Sequence, residues 1–566
     1  KSMGKNDKPK EKTFGVLQMT LITYFLICAG PYGLEETVGG AGPFLTLVAI
    51  VVVPILLSFP LSLFCAEMGT IFPQTGSTIM WALDIVHGYE KFLSQPIPAF
   101  ISTAQTQEYN KKIKKANFQL KMTRLIVRLY SNTLAMKEIS DNSMYPTLFC
   151  DYLSTLIPEL DLWYWRITVA VLSFFFLAWL NFYGLDMVGW MQYVFAVAVL
   201  SPIVVMTCMT FPMWDFAKLS PKILPEKVDI GLLLSNLAWQ CMGFDESTNL
   251  LGDVRNPKRT MPISMSLVVV LVVFSYLVPI MSAAMVESDP AKWYSGAFAE
   301  ISLKIPGCEN GWLQYWLIIA GAISALSIQN ACIACSSREL FTNAHCGLLP
   351  FAGWIDKLKT FKKKKPAKDT NSSVQSDSNL LSSHTSLQTD DTNNSLNADY
   401  DVFDDEDFEE QGLVPWVAIV VVSVLPIPLM LFDFATLVTI DGFLMIFNMF
   451  LQIWFYVYAR HGKFGHYSRH PPDGTTFYIH GSGWMTLAMV LTPLIVSIIL
   501  MVTNGWLAVV IFVGVQVALY LLWGVEEWVK KCKGKGHKYA QQKEILMTEQ
   551  VYEQHESSSG SPDLLA

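Results

Sequence analysis

"LICAGPYGLEETVGGAGP", residues Leu26–Pro43, opens as a lipid-compatible apolar run and then presents Gly30, Pro31, Gly33 and two adjacent carboxylates, Glu35 and Glu36. An unbroken helix does not accommodate this string. Pro31 lacks an amide hydrogen and crowds the preceding turn, while Gly30 and Gly33 permit backbone angles that helices do not use. Backbone groups freed at membrane depth are tolerated only where they line protein or water, so a break here predicts an internal chamber. Taken alone, the stretch also fits a proline kink in an ordinary span whose acids sit in the outer interface.

The composition favours the membrane. Of the 566 residues, 52% are hydrophobic, 13% aromatic and only 16% charged, with a mean hydropathy of +0.36. Ordinary soluble domains are more polar. Runs able to cross about 30 Å of hydrocarbon recur at 14–38, 44–69, 163–183, 186–211, 229–252, 263–285, 312–341, 413–431, 436–459, 482–503 and 505–527. A weaker span near 132–156 lets the loops alternate consistently, giving about twelve. The first run has a basic flank and no small-residue cleavage site, so it reads as a span rather than a removed signal. The expected fold is an all-α polytopic membrane protein.

With that count, the basic segments "KNDKPKEK", "DVRNPKRT", "KLKTFKKKKPAK", "ARHGKFGHYSRH" and "VKKCKGKGHK" fall on one side. The positive-inside rule makes that side cytoplasmic and places both termini there. The expected organisation is a cytoplasmic tail at 1–13 and a membrane domain at 14–345. A disordered cytoplasmic loop follows at 346–411, then the last membrane helices at 412–527 and a cytoplasmic tail at 528–566. The loop's Ser, Thr, Asn and Asp tract holds too little apolar material to offset the entropy of ordering. The net charge of -8 comes partly from its acid run "DVFDDEDFEE", and says little about partners. An anomalous segment near 92–138 contains Pro96, Pro98 and a Lys cluster but no long apolar run. The ten cysteines show no disulfide or zinc spacing, and "CIAC" (Cys332–Cys335) reads as helix packing.

A second stretch answers the first. "SNLAWQCMGFDESTNLLGDVRNPKRTMP", Ser235–Pro262, again runs apolar, reaches Gly243 and carries Asp245 and Glu246 mid-segment. It opens the sixth span, five after the first. Interrupted helices at corresponding places in two halves point to an inverted-repeat carrier whose half-helix ends face a site near the midplane. A charge at mid-membrane costs about 2.5 to 3.5 kcal/mol on insertion scales, so these acids need a partner, water or a ligand. Half-helix C-termini and carboxylates suit a cation, and Tyr32, Trp239 and Phe244 beside the breaks offer ring faces to an ammonium group.

These motifs resemble those of the amino acid-polyamine-organocation transporters, and within them the polyamine-uptake branch of plants and trypanosomatid parasites. "GPYGLEETV" resembles GPFGVEDSV, "AEMGTIFPQTGSTIMW" (Ala66–Trp81) resembles AELATSFPENGGYVIW, and "DNSMYPTLFCDYL" (Asp141–Leu153) resembles DNALYPVLFLDYL. "WQCMGFDESTNLLGDV" resembles WNLNYWDKASTLAGEV without gaps. The resemblance implies a five-plus-five inverted repeat of the LeuT type, with broken first and sixth helices and two extra helices. It places Gly30, Pro31, Tyr32 and Glu35 on the first broken helix, Tyr145 on the third, and Trp239, Gln240, Phe244 and Asp245 on the sixth. Asp141 and Asp151 match family acids, Asp151 being assigned to the outer mouth.

Three departures bear on function. Cys332 and Ala334 stand where the branch has acids, which leaves polyamine and amino acid both open as cargo. The fifth span lacks the Lys found in proton-coupled relatives, so H+ and Na+ both remain as coupling ions, with Ser336 and Ser337 as sodium candidates. The segment near 92–138 has no counterpart in the family and reads as an insertion or a gene-model error. The expected function is secondary active transport of small organic cations, polyamine or amino acid, by alternating access. The alternatives are a carrier of neutral or cationic amino acids and a transporter-like nutrient receptor. An enzyme is not expected: the nine His show no metal spacing, and no nucleophile elbow or phosphate loop appears. The expected surroundings are a small-molecule substrate and the plasma membrane, without nucleic acid, cofactor or metal; oligomeric state stays open.

Overall fold

The first apolar run forms α1 (Val16–Ile27) and stops at Cys28, whose backbone turns extended. The chain resumes as α2 (Glu35–Ala41), and between them Gly30 and Gly33 take φ of +97° and +88°. The predicted break is therefore present. A computed structural model describes residues 14–28, 30–94, 103–294, 296–359, 362–364, 408–410, 414–432, 434–472, 474, 476–480, 483–503 and 505–532. The predicted tail at 1–13, the predicted tail at 528–566 beyond Cys532, Pro96 and Pro98, and most of the predicted loop at 346–411 lie outside the described residues.

Next come α3 (Pro43–Val53) and α4 (Phe59–Ile71), joined by a π-helical turn at Pro54–Ser58. Pro54 has no amide hydrogen to give, a common reason for a helix to widen locally. A shorter helix α5 (Ser77–Leu93) leads to α6 (Thr103–Ser154), 52 residues in one piece. Two spans follow, α7 (Trp163–Phe182) and α8 (Leu185–Thr210). The second break separates α9 (Ile230–Trp239) from the single turn α10 (Phe244–Ser247), where Gly243 takes φ of +98°. Beyond it lie α11 (Pro257–Val286), α12 (Ala297–Ser302) and α13 (Trp312–His345). After α14 (Ala352–Ile355), strands β1 (Lys362–Lys364) and β2 (Phe408–Glu410) pair antiparallel. The chain ends in α15 (Trp416–Val424), α16 (Phe434–His461), α17 (His466–Arg469), α18 (Gly483–Thr503) and α19 (Gly505–Cys532). Among the described residues, seven helices are long and apolar enough to cross a membrane, with shorter apolar helices beside them.

The packing has the symmetry of a repeat. α6 lies along α13; its contact with α16 is matched by that of α13 with α8, and α1 on α11 is matched by α9 and α10 on α3 and α4. Exchanging each span for the fifth one after it thus maps these pairings onto one another. Five crossings separate the two copies, so the second runs upside down relative to the first.

Hydropathy underestimates α6 for a physical reason. Ser131, Asn132, Thr133, Lys137, Glu138, Ser140, Asp141, Asn142 and Ser143 are all buried against neighbouring helices rather than facing lipid. The segment near 92–138 and the weak span near 132–156 join here: from Thr103 onward they form one helix.

Candidate functional site

Each break leaves backbone groups without helical partners, and neighbouring helices supply them. Tyr276 on α11 donates its hydroxyl to the Gln240 carbonyl at 3.0 Å, and Ser58 in the π turn donates to the Cys241 carbonyl at 2.8 Å. On the first break, Asn236 of α9 donates to the Gly33 carbonyl at 3.0 Å and to the Thr37 hydroxyl at 2.7 Å. The Gly33 amide donates to Glu35 Oε2 at 2.7 Å. The breaks are thus tied to each other and to the scaffold. A Cβ added at Gly33 would lie 3.3 Å from Gln240 Nε2.

Between the breaks lies a pocket lined by Tyr32, Gly33, Asp141, Tyr145, Trp239, Gln240 and Glu246, among others. Tyr32 meets Tyr152 and Phe298 edge-on, with ring centroids 5.7 and 6.4 Å away. Asp141 accepts a 2.5 Å hydrogen bond from the Tyr145 hydroxyl. The donor atoms of Asp141, Glu246 and Cys332 all lie within 4.8 Å of one another, close enough for one small cation to touch all three. Glu246 Oε2 is buried and has no hydrogen-bond partner.

A second pocket adjoins the first across Met445, which lines both, and contains Lys137, Phe244, Asp245, Asn448 and Gln452. Gln452 donates to Asp245 Oδ2 at 2.7 Å. Lys137 pairs with Glu138 at 3.3 Å and also with Glu246. Glu339 and Asp441 are buried on the adjacent helices α13 and α16. Acids thus outnumber bases around the two pockets, an arrangement that a cationic guest relieves.

Of the residues expected from sequence, Tyr32, Tyr145, Trp239 and Gln240 share the first pocket, and Phe244 and Asp245 line the second. Glu35 instead closes the first break through the Gly33 amide. The Gly30 amide donates to Cys28 Sγ at 3.4 Å, so Gly30 and Pro31 shape the break. Asp151 pairs with Arg166 at 2.7 Å beyond the pocket lining. Cys332 and Cys335 are buried and form no disulfide, and the Cys332 thiol lies 3.5 Å from the Tyr145 hydroxyl at the edge of the chamber. Lys137 and Glu138 are not among the residues expected from sequence, because they fall in the segment near 92–138 that has no family counterpart. Their signal was legible: Lys137, Asp141 and Tyr145 recur every fourth residue and share one helix face.

A polytopic helical bundle with two interrupted helices facing one polar chamber is the architecture of a membrane carrier. The amino acid permease family matches residues 129–525, and the chain belongs to it. Similar proteins include the polyamine transporter RMV1 of Arabidopsis thaliana, 30% identical over 353 residues, 60% of this chain and 62% of the relative. Polyamine transporter PUT1 of Oryza sativa subsp. japonica is 29% identical over 344 residues, 60% of this chain and 56% of the relative. The probable polyamine transporter At3g19553 of Arabidopsis thaliana is 29% identical over 350 residues, 61% and 64% of the two chains. The chain spans about three-fifths of the length of these relatives.

Proposed function

We propose that the chain carries small organic cations of the polyamine class across a membrane by alternating access. The observation that carries this reading is the meeting of Asp141 and Glu246 in a pocket also lined by Tyr32, Tyr145 and Trp239. An alkylammonium group finds both charge and ring faces there. The names of the similar proteins support the same cargo. The coupling ion is H+ or Na+, the membrane is the plasma membrane, and both termini face the cytoplasm.

An amino acid is the second reading, favoured by the family's description as amino acid permease. Such a cargo brings its own carboxylate, which seeks backbone amides at a helix break. Here Glu35 already accepts from the Gly33 amide, and this argues for a cargo without a carboxylate. Uptake of radiolabelled putrescine, spermidine, arginine and leucine in cells lacking their own carriers tests both readings, repeated with sodium replaced and with pH varied. Putrescine or spermidine accumulation that unlabelled leucine does not compete away is the expected result. Accumulation of leucine alone overturns the polyamine reading, and binding without accumulation of any of the four points to a receptor.

A further inference from the structure

Lys137 is the feature of the chamber that cation transport leaves unexplained. Its side chain is 2% exposed and pairs with Glu138 and Glu246, themselves 1% and 3% exposed. It stands on α6 where the two pockets adjoin: Glu246 lines the first pocket, and Lys137 lines the second. The ion pair therefore forms part of the wall between them. Burying a full ion pair in a cargo chamber costs desolvation that an apolar pair would avoid.

We propose that the Lys137 ammonium is a tethered stand-in for the cargo: it neutralises Glu246 when the carrier is empty and yields Glu246 to an incoming alkylammonium. This rests on the cation-carrier reading above. Three observations support it. Lys137 and an alkylammonium carry the same kind of group, so they compete for the same carboxylate, that of Glu246. Glu246 Oε2 is free while Lys137 holds Oε1, so a guest can engage Glu246 before Lys137 leaves. The second pocket supplies somewhere for the displaced group to go, since Asp245 lines it and both amide atoms of buried Asn448 lack partners. An empty carrier whose acids stay compensated can return across the membrane without cargo.

The test measures equilibrium putrescine binding to the purified full-length protein in lipid nanodiscs, together with uptake in cells. Lys137→Met removes the competitor; binding is expected to tighten at least tenfold and putrescine to raise the melting midpoint more than in the wild type, while net uptake falls. Lys137→Arg keeps the charge and grips Glu246 through a planar fork; several-fold weaker binding is expected. Folded Lys137→Met with unchanged or weaker binding overturns the proposal. Should that variant fail to fold, Lys137→Arg decides: affinity equal to or tighter than wild type overturns it as well. Glu246→Gln separates this failure from that of the site itself. If Glu246→Gln abolishes binding and Lys137 variants change nothing, only the stand-in role falls; if Glu246→Gln binds normally, the cation site falls with it.

Discussion

Glu246 and Asp245 are adjacent in sequence yet line different pockets. The single-turn α10 starts from a left-handed glycine, so the break sets which acid turns inward, and no periodicity in the flanking residues reports it. Asp141→Asn and Glu246→Gln are each expected to weaken binding of a cationic cargo by tenfold or more, equivalent to about 1.4 kcal/mol. Equilibrium binding measures this; the neutral variants preserve shape and isolate charge. Asp245→Asn is expected to have a smaller effect on a cargo with one ammonium group, since Gln452 already engages Asp245. Gly33→Ala places a side chain at a φ of +88° and 3.3 Å from Gln240 Nε2. Strain of about 1–2 kcal/mol and loss of cargo affinity are expected together, read from the melting midpoint and from binding.

Two charged links join α4 and α5 to α16 and α17. Arg460 on α16 pairs with Glu67 on α4 at 2.8 Å, with side chains 3% and 0% exposed. It also donates to the Ile479 carbonyl at 2.7 Å. Arg460→Ala strands a buried carboxylate, so a loss of about 3–5 kcal/mol is expected, seen as a lower melting midpoint. Asp84 on α5 pairs with Arg469 at 2.6 Å and lies 3.5 Å from His466 on α17. Burial works against its charge, but hydrogen bonding and charge from His466 and Arg469 prevail and hold its carboxyl at about 2. An unfolded Asp titrates near about 3.9. The link therefore stabilises fully above about pH 4 and is lost as pH falls toward 2. The melting midpoint of Asp84→Asn is expected to lie below wild type throughout the neutral range, with the gap closing only in strong acid. At this scale α6 was the element least legible in the sequence. Its polar side chains face protein, and a hydropathy window cannot distinguish that from exposure to water.

For the whole molecule, the proposed alternating access would require contacts across the break regions to open and close. Phe14 bridges to Val254, with the Phe14 amide donating to the Asp253 carbonyl at 3.0 Å and the Arg255 amide to the Phe14 carbonyl at 2.8 Å. On the opposite side, the Asp229 amide donates to the Gly40 carbonyl at 2.9 Å. A disulfide between cysteines placed at Phe14 and Val254, with exposed Cys208 replaced by Ser, is expected to stop uptake, and a reductant to restore it. Uptake that persists with the bond formed excludes movement at this contact. The apolar runs, the two interruptions marked by left-handed glycines and their spacing of five spans were all settled by the order of residues. Membrane insertion and helix breaking depend on local chemistry: hydrocarbon length, a missing amide hydrogen and a left-handed glycine. Which acids converge, that Glu35 turns back onto the Gly33 amide, and that Lys137 from α6 reaches Glu246 on α10 were decided only by packing. Those contacts join residues 109 apart in the chain, as with Lys137 and Glu246, or turn on rotations about a break, and local pattern carries neither.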